Sequence, residues 1–320
     1  MSLTDDTIYV AFSVKDLTGN YCMYAGAAIK SLLLHNSNKK IVIYILNDGK
    51  ITDQNIKYFH EMTKGINAEI NFITVKIDNK IRNMKMIVEG FLSEGALYRL
   101  LIADYLPKYI NRILYLDCDV IVDGDITALF SMQLDKSVAA VKDSGIIKNY
   151  RIMKKNMALF NPDRYFNSGV IVMNLHKIRQ EHNLLLECND YLNKFPKDPF
   201  SDQSALNYVF KNDCKFISEK YNKFPSRESR PGDAIIWHFS GANKPWKTRF
   251  SSIHKIWWHN LRLSPWGSDV NKLFDLYSKI VDPLDYALLH YPSGSKRSFF
   301  KNVFKRTIYE IKLIGNNYFF

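Results

Sequence analysis

The chain has few cysteines and no long apolar run, and both absences exclude classes of protein. Only four of its 320 residues are cysteine, and no two of them form a CxxC pair, so neither a structural zinc site nor a disulfide scaffold is expected. No stretch is apolar for long enough to cross a bilayer, and the first residues lack the basic, apolar and small-residue regions of a secretory signal. We therefore expect a cytoplasmic protein that folds in a reducing compartment.

Internal repeats at solenoid spacing and low-complexity tracts are also missing from the sequence. What is present is a hydrophobic fraction of 47% and an aromatic fraction of 14%, which exclude a disordered protein. The formal net charge is +12, which predicts attraction to nucleic acid, anionic lipid or a phosphorylated substrate. Charge alone does not choose among these three.

Strand-like and helix-like segments alternate over the first two-thirds of the chain. Strands are expected at 7–14, 40–46, 68–77 and up to Asp117, and helices at 24–34, 52–62 and 96–105. Such alternation predicts an α/β fold with a mostly parallel sheet and helices on both faces. Ligands bind sheets of this kind at the carboxyl edge of the strands.

Two carboxylates interrupt an apolar run at residues 113–122, which reads ILYLDCDVIV. A run of this kind is typical of a buried strand, where a carboxylate is disfavoured unless it is paired, hydrogen-bonded or bound to a metal. Asp117 and Asp119 lie where the strand gives way to its loop, so both side chains can turn toward one point at the sheet edge. Mn²⁺ or Mg²⁺ carrying a phosphate group suits such a pair. A surface turn after an ordinary strand is the alternative.

Two later segments carry polar side chains suited to a sugar. Residues 165–175 read YFNSGVIVMNL, and Asn167 there offers a donor and an acceptor to hydroxyl groups; a simple turn before a strand is the alternative. Asp202 and Gln203 precede a helical pattern. Either Ser201 or Asp202 caps that helix, or Asp202 and Gln203 stand beside a reacting sugar and stabilise its charge.

A third segment, residues 237–246, reads WHFSGANKPW. His238 ends an apolar run and is a candidate third metal ligand beside the two carboxylates, although a structural histidine is the alternative. Gly241 permits close approach of a ligand, and Lys244 can meet a phosphate as a point charge. Arg99 lies in a helix with apolar neighbours, so it either extends into solvent or meets a carboxylate or phosphate at the sheet edge.

Four of these segments, LDCDV, YFNSGV, SDQSALN and HFSGANKPW, occur in the order found in retaining glycosyltransferases of family 8. The chain thus resembles that family, which includes bacterial lipopolysaccharide galactosyl- and glucosyltransferases and the glycogenins. VAFSVKDLTGNY, YILNDG, ALYRLLIADYLP and IWWHNLRLSPW are also similar to family segments, so the resemblance covers most of residues 7–266. It implies a GT-A fold, which is a Rossmann-like domain with a mostly parallel central sheet.

The resemblance implies a hexosyltransferase that moves galactose or glucose from a UDP-sugar to a saccharide hydroxyl with the aid of Mn²⁺ or Mg²⁺. By position, the metal ligands are Asp117, Asp119 and His238. The diphosphate contacts are Gly241 and Lys244, the donor-sugar and catalytic contacts are Arg99, Asn167, Asp202 and Gln203 with Asp143 nearby, and the uracil contacts are Ala11, Phe12 and Asp16. Cys118 lies within the same nucleotide-binding stretch and is expected to be a small core residue without a catalytic part.

The C-terminal part of the chain differs in composition from the rest. We expect a catalytic domain at 1–262 and a helical appendage at 263–320, whose last residues mix lysine and arginine with phenylalanine and tyrosine. This pattern predicts peripheral attachment to the anionic inner membrane, near a lipid-linked saccharide acceptor such as lipopolysaccharide. A solvated basic helix is the alternative.

Other functions remain open at this point. A nucleic-acid-binding or membrane-binding module without catalysis would explain the charge, but it leaves the paired carboxylates unexplained, so nucleic acid is not an expected partner. A transferase that acts on a protein or a soluble sugar is a further alternative.

Overall fold

The computed structural model describes residues 7–16, 20–77, 94–146, 161–241, 244–247 and 251–269. Seven strands form a central sheet: β1 (Thr7–Val14), β2 (Lys40–Asn47), β3 (Ala68–Thr74), β4 (Arg112–Leu116), β6 (Val138–Lys142), β7 (Phe166–Asn174) and β8 (Cys214–Phe216). Their spatial order is β3-β2-β1-β4-β7-β6-β8. Neighbouring strands are parallel except β7, which is antiparallel to β4 and β6. The mostly parallel sheet predicted from the sequence is therefore confirmed.

A second, two-stranded sheet pairs β5 (Val120–Val122) with β9 (Ile236–His238) in antiparallel register. The described helices are α1 (Tyr21–His35), α2 (Asp53–Glu61), α3 (Glu94–Leu100), α4 (Ile102–Tyr105), α5 (Thr127–Ser131), α6 (Leu175–Glu181), α7 (Leu184–Lys194), α8 (Ser201–Val209) and α9 (Ser252–Leu263). Short 3-10 turns occur at Pro162–Arg164, Glu219–Tyr221 and Pro265–Ser268.

The alternation of side chains along the strands divides the interior into two cores. On β1, Phe12 points into a core built with α1 and α9, whereas Ala11 points into the opposite core with α3, α7 and α8. Because the central strands are buried on both faces, their sequences are apolar almost throughout, as in VAFSV and ILYL. The side chains available to bind a ligand therefore lie at the strand ends, where the chain leaves the sheet.

Two sequence-based expectations differ from the structure in detail. The helix expected at 96–105 breaks at Leu101 into α3 and α4. The apolar run 113–122 is divided between the two sheets, because β4 ends at Leu116 and β5 begins at Val120. The paired carboxylates therefore lie at the junction between two sheets.

The beginning of the expected C-terminal appendage packs on the domain. Trp266 is buried, and its Nε1 donates to Asn55 Oδ1 on α2 at 2.9 Å. The rest of the appendage, from residue 270 onward, lies outside the described residues, and so does the basic aromatic tail. Across the described part of the chain, no helix has the length and apolar character needed to span a membrane.

Candidate active site

The candidate site lies at the carboxyl edge of the central sheet. β1 and β4 end there, and β7 begins there because it runs in the opposite direction; the backbone N–H of Asp117 continues the ladder by donating to Gly169 O at 2.9 Å. A cavity of about 250 Å³ opens at this edge. Its lining includes Ser13, Lys15, Tyr21, Arg99, Asp117 and Asp119.

The three expected metal ligands come together at this edge. Ligand atoms of Asp117, Asp119 and His238 all lie within 4.8 Å of one another. The small sheet brings His238 to the carboxylates, because it pairs with Val120 and because Phe239 N donates to Asp119 O at 2.9 Å. Residues far apart in the sequence thus form one cluster through a single strand pair.

The donor atoms of this cluster fit a divalent cation. Asp119 Oδ1 is buried, accepts no hydrogen bond from any described residue, and lies 3.4 Å from His238 Nε2. A buried carboxylate oxygen without a hydrogen bond is unfavourable unless a cation meets it. Two carboxylates and one imidazole form a mixed oxygen and nitrogen set of the kind that Mn²⁺ accepts.

The electrostatic surroundings keep Asp119 ionised. Burial raises the pKa of the Asp119 carboxyl, but the Lys244 ammonium and the His238 ring outweigh burial, and the net pKa lies well below the usual range. Lys244 Nζ forms an ion pair with Asp119 Oδ2. At neutral pH this carboxylate is therefore available as an anionic ligand.

Arg99 links the metal cluster to the expected sugar-binding residues. It is buried, and its guanidinium lies 3.2 Å from Asp117 Oδ1 and 3.3 Å from Asp202 Oδ2. Nη1 also donates to the backbone oxygen and the hydroxyl of Ser168, each at 3.1 Å. Burial lowers the pKa of Arg99, but Asp117 and other neighbours raise it more, so the net pKa is raised. In this arrangement Arg99 holds two carboxylates on one side of the cavity.

Asp202 lies in the first turn of α8 and faces Arg99. The N-cap position is Phe200, so neither Ser201 nor Asp202 is the N-cap residue that the sequence suggested; both lie in the first turn. Ser201 has φ of 39°, a left-handed value that strains a non-glycine residue, and it is alone in this among the described non-glycine residues. Burial raises the pKa of Asp202, and Arg99 only partly offsets this rise.

Gln203, Asn167 and Asp143 form a hydrogen-bonded group beside Asp202. Gln203 Oε1 accepts from Ser168 N at 3.0 Å and from Asn167 Nδ2 at 3.1 Å, and Gln203 Nε2 donates to Asp143 Oδ2 at 3.1 Å. Both ends of the Gln203 amide are therefore engaged by the protein. The structure gives Gln203 the contacts of a residue that orients the beginning of β7.

The three uracil candidates occupy different surroundings from those expected. Ala11 and Phe12 have no exposed surface and pack in the two cores. Both Asp16 carboxylate oxygens accept backbone N–H groups at the beginning of α1, from Tyr21 and Cys22 at 3.1 Å each. Ser13, Lys15 and Tyr21 line the cavity, and contact of the three candidates with uracil stays a prediction.

Cys118, between the carboxylates, is buried, and its thiol donates to Ser13 O at 3.3 Å. Burial, followed by the charges of Asp117 and Asp119, raises its pKa well above the usual range. The thiol therefore stays protonated at neutral pH and serves packing.

The segment with Gly241 and Lys244 lies beside the cluster. Gly241 has φ of +67°, and no atom of the described residues lies within 4 Å of a Cβ built there; residues 242–243 fall outside the described ranges. Trp246 stacks on Tyr24 at 3.8 Å between ring centroids, and Trp258 Nε1 donates to Pro245 O at 3.0 Å. These contacts hold the Lys244 segment against α1 and α9.

Sequence reasoning missed Asn222, which follows the 3-10 turn Glu219–Tyr221. Its Oδ1 lies 2.9 Å from His238 Nδ1, and its Nδ2 donates to Asn167 Oδ1 at 2.8 Å. Asn222 is separated from both partners in sequence and has no motif around it, so only the tertiary contact reveals it.

Comparison with known proteins agrees with these observations. Residues 14–249 match the family model described as glycosyl transferase family 8. The chain is 26% identical over 288 residues to "General stress protein A" of Bacillus subtilis, covering 82% of this chain and 96% of that protein. It is 26% identical over 291 residues to a "Lipopolysaccharide 1,2-glucosyltransferase" of Escherichia coli, covering 83% of this chain and 81% of that protein.

A crystal structure described as the galactosyltransferase LgtC with donor and acceptor sugar analogues is similar in fold. The TM-score is 0.67 at 22% identity, and the match covers 81% of this chain and 96% of that one. This likeness confirms the GT-A fold expected from the sequence.

Proposed function

The chain belongs to glycosyltransferase family 8, and on that premise we propose that it transfers galactose or glucose from a UDP-hexose to a saccharide hydroxyl with retention of configuration and with the aid of Mn²⁺ or Mg²⁺. The observation that carries this proposal is the convergence of Asp117, Asp119 and His238 within 4.8 Å at the carboxyl edge of the sheet. A ligand set of this kind, beside a cavity, is suited to a metal-bound diphosphate.

The diphosphate end of the donor would lie between the ligand cluster and Lys244. When bound, the cation supplies positive charge that stabilises the departing diphosphate. Lys244 adds a second positive charge, and the stacking of Trp246 on Tyr24 holds its segment beside Asp119. Among the described residues, none approaches a Cβ built at Gly241 within 4 Å, which would let the donor approach the backbone there.

The sugar would lie toward Asp202, on the other side of Arg99. Arg99 fixes the Asp202 carboxylate at 3.3 Å, where it can orient sugar hydroxyls and stabilise the positive charge that develops at the anomeric carbon. Asn167 and Gln203 shape this side of the cavity through their contacts with Asp143. We favour attack of the acceptor on the face that the nucleotide leaves, with the departing phosphate accepting the proton of the acceptor hydroxyl.

The acceptor is proposed from the matched relatives and from the tail. One relative is named a lipopolysaccharide glucosyltransferase, so a lipopolysaccharide or a similar cell-surface glycan is the proposed acceptor class. The division into a catalytic domain at 1–262 and an appendage at 263–320 remains a prediction. So does attachment of the appendage to an anionic membrane surface, and the full-length protein should then co-sediment with anionic vesicles but not with zwitterionic ones.

The proposal is tested by donor hydrolysis with Asp119→Asn. Wild-type protein is incubated with a panel of UDP-hexoses in Mn²⁺, in Mg²⁺ and in EDTA, and released UDP is measured. Substitution of a residue that supports a metal ligand typically lowers metal affinity or activity by about 10–100-fold. Asp119 is a proposed ligand itself, so its substitution should lower the Mn²⁺-dependent rate by more than about 100-fold.

Asp135→Asn is the matched control, because Asp135 is exposed and its backbone oxygen, which the substitution keeps, accepts the hydrogen bond from Lys177 Nζ at 3.4 Å. It should leave the rate unchanged. Full Mn²⁺-dependent activity in a folded Asp119→Asn protein would refute the metal assignment, and equal wild-type hydrolysis in EDTA would refute metal dependence as a whole.

A further inference from the structure

A buried chain of hydrogen bonds runs from Asp143 to the proposed metal ligand His238 through two asparagines. We propose that Asn222 is a positioning residue that fixes the neutral tautomer of His238, so that Nδ1 carries the proton and Nε2 keeps its lone pair toward the carboxylates. The proton on Nδ1 follows from the network; the lone pair on Nε2 faces the Asp119 carboxylate at 3.4 Å and needs a cation there, so that part rests on the proposed function. Asn167, Asn222 and His238 are each at most 5% exposed, so water does not compete for these bonds.

Asp143 sets which groups donate and which accept along this hydrogen-bond network. Its Oδ1 accepts the backbone N–H groups of Gly145 at 2.9 Å and Ile146 at 3.1 Å, and its Oδ2 lies 3.0 Å from Asn167 Nδ2. An ionised carboxylate only accepts hydrogen bonds, so the amino group of Asn167 faces Asp143. The backbone N–H of Gly169 donates to Asn167 Oδ1 at 3.0 Å, which independently gives the same orientation.

The orientation of the Asn222 side-chain amide is then fixed as well. Asn222 meets Asn167 Oδ1 at 2.8 Å, and two carbonyl oxygens at that distance would repel, so the Asn222 amino group must face Asn167. Asn222 Oδ1 therefore faces His238 Nδ1 at 2.9 Å. Because this oxygen can only accept, Nδ1 carries the proton.

The other ring nitrogen, Nε2, then carries the lone pair and faces the proposed metal ligands. Nε2 of His238 lies 3.4 Å from Asp119 Oδ1, and a neutral imidazole binds a metal only through the nitrogen without a proton. The His238 ring also packs directly against Gly169, which restricts its rotation. Asn222 thus acts on the site through His238 and does not itself need to touch a ligand.

Two substitutions separate this role from simple packing. Asn222→Leu keeps a similar volume but removes the acceptor for Nδ1–H. Asn222→Asp keeps an acceptor for Nδ1–H, in a carboxylate–histidine pair of the kind found behind metal-bound histidines. Both substitutions lose the donor to Asn167 Oδ1, so the comparison between them isolates the acceptor for Nδ1–H. Asn55→Leu is the control, since Asn55 is also buried and its Oδ1 accepts the Trp266 Nε1 hydrogen at 2.9 Å, away from His238.

The first measurement is the ¹⁵N NMR spectrum of the histidine rings in the presence of Mg²⁺ at alkaline pH, where imidazole is neutral and the cation offsets the charge of Asp119 beside Nε2. His238 is assigned by comparison with His238→Ala. We expect the Nδ1–H tautomer in wild type, Asn222→Asp and Asn55→Leu, and a mixture of tautomers in Asn222→Leu. A proton on Nε2 in wild-type protein would overturn the inference, and so would an unchanged tautomer in folded Asn222→Leu.

The second measurement is Mn²⁺ affinity by titration calorimetry. Asn222→Leu should weaken binding by about 10–100-fold, whereas Asn222→Asp and Asn55→Leu should stay within about 10-fold of wild type. Equal affinity in wild type and a folded Asn222→Leu would also overturn the inference. If wild type shows the Nδ1–H tautomer but binds no Mn²⁺, the metal part of the proposed function fails while the tautomer assignment stands.

Discussion

Gly169 is a position where a single methyl group should disturb both the fold and the site. A Cβ built there would lie 2.8 Å from His238 Nδ1 and 2.9 Å from Nε2, and closer still to Cε1. The ring is 3% exposed, and Asn222 holds its Nδ1, so it has little room to yield. Gly169→Ala must therefore displace His238 or shift the beginning of β7.

The expected magnitude follows from two contributions. Overpacking a buried contact costs about 1–3 kcal/mol. If the ring moves away from Asn222, an unpaired buried donor or acceptor costs about 1–3 kcal/mol more. We therefore expect Gly169→Ala to lower the free energy of unfolding by roughly 2–6 kcal/mol and to weaken Mn²⁺ binding at least about 10-fold, as for loss of an outer-shell contact.

The assay is urea unfolding of four proteins: wild type, Gly169→Ala, His238→Ala and the double variant. Removing the imidazole makes space for the methyl group, so Gly169→Ala should be nearly neutral in the His238→Ala background. The coupling between the two positions should then equal nearly the whole cost of Gly169→Ala in wild type, roughly 2–6 kcal/mol. Gly124→Ala is the control, because its Cβ would meet Ile235 at an ordinary 3.5 Å, and its effect should stay within about 1 kcal/mol.

The reasoning would be refuted if Gly169→Ala cost the same with and without the His238 ring. That result would locate the strain elsewhere in β7. Stability equal to that of Gly124→Ala would show that the ring and strand accommodate the methyl group freely.

Three other predictions concern different parts of the molecule. Gly26→Ala should destabilise the protein by about 1–3 kcal/mol in urea unfolding, because its Cβ would enter the indole of buried Trp266; an effect below 0.5 kcal/mol, the size of an ordinary surface change, would contradict this packing. The raised pKa of Asp202 means that the folded state binds its proton more tightly than the unfolded state, whose pKa is about 3.9. Metal-free wild type should therefore lose stability relative to Asp202→Asn as pH rises from about 4 through the folded pKa, and a relative gain over that range would contradict the sign. The Cys118 thiol should react with an alkylating reagent only after unfolding, since it is buried with a raised pKa; rapid labelling of native protein would show that it is accessible.

Much of the fold could be predicted because the strands are buried on both faces. Continuous apolar segments such as YVAFSV and IVIYIL, separated by helical patterns, indicate parallel strands without tertiary information. The same property hid the division of residues 113–122, since β4 and β5 are equally apolar although they belong to different sheets. Apolar patterning reports burial, and it does not report which sheet a segment joins.

The candidate site could also be predicted only in part from the sequence. Asp117, Asp119 and His238 stand out in the sequence because a polar residue interrupts or ends an apolar run, and the structure brings them together. Their roles as ligands stay a prediction. The Asp16 carboxylate accepts backbone N–H groups at the beginning of α1, a contact that the sequence did not indicate, and its place near uracil stays a prediction. Asn222 lay beyond prediction because its surroundings are created by Asn167 and His238, 55 and 16 residues away in the chain.

The division of the carboxylates between two sheets also has a consequence for local stability. Asp117 is anchored to the seven-stranded sheet, whereas Asp119 and His238 are anchored by β5 and β9, which have three residues each. A small two-stranded sheet opens more easily than a large central one. Fraying of β9 would carry His238 away from Asp117 while the main sheet stays folded, so catalytic competence should be lost on heating before the cooperative unfolding of the domain.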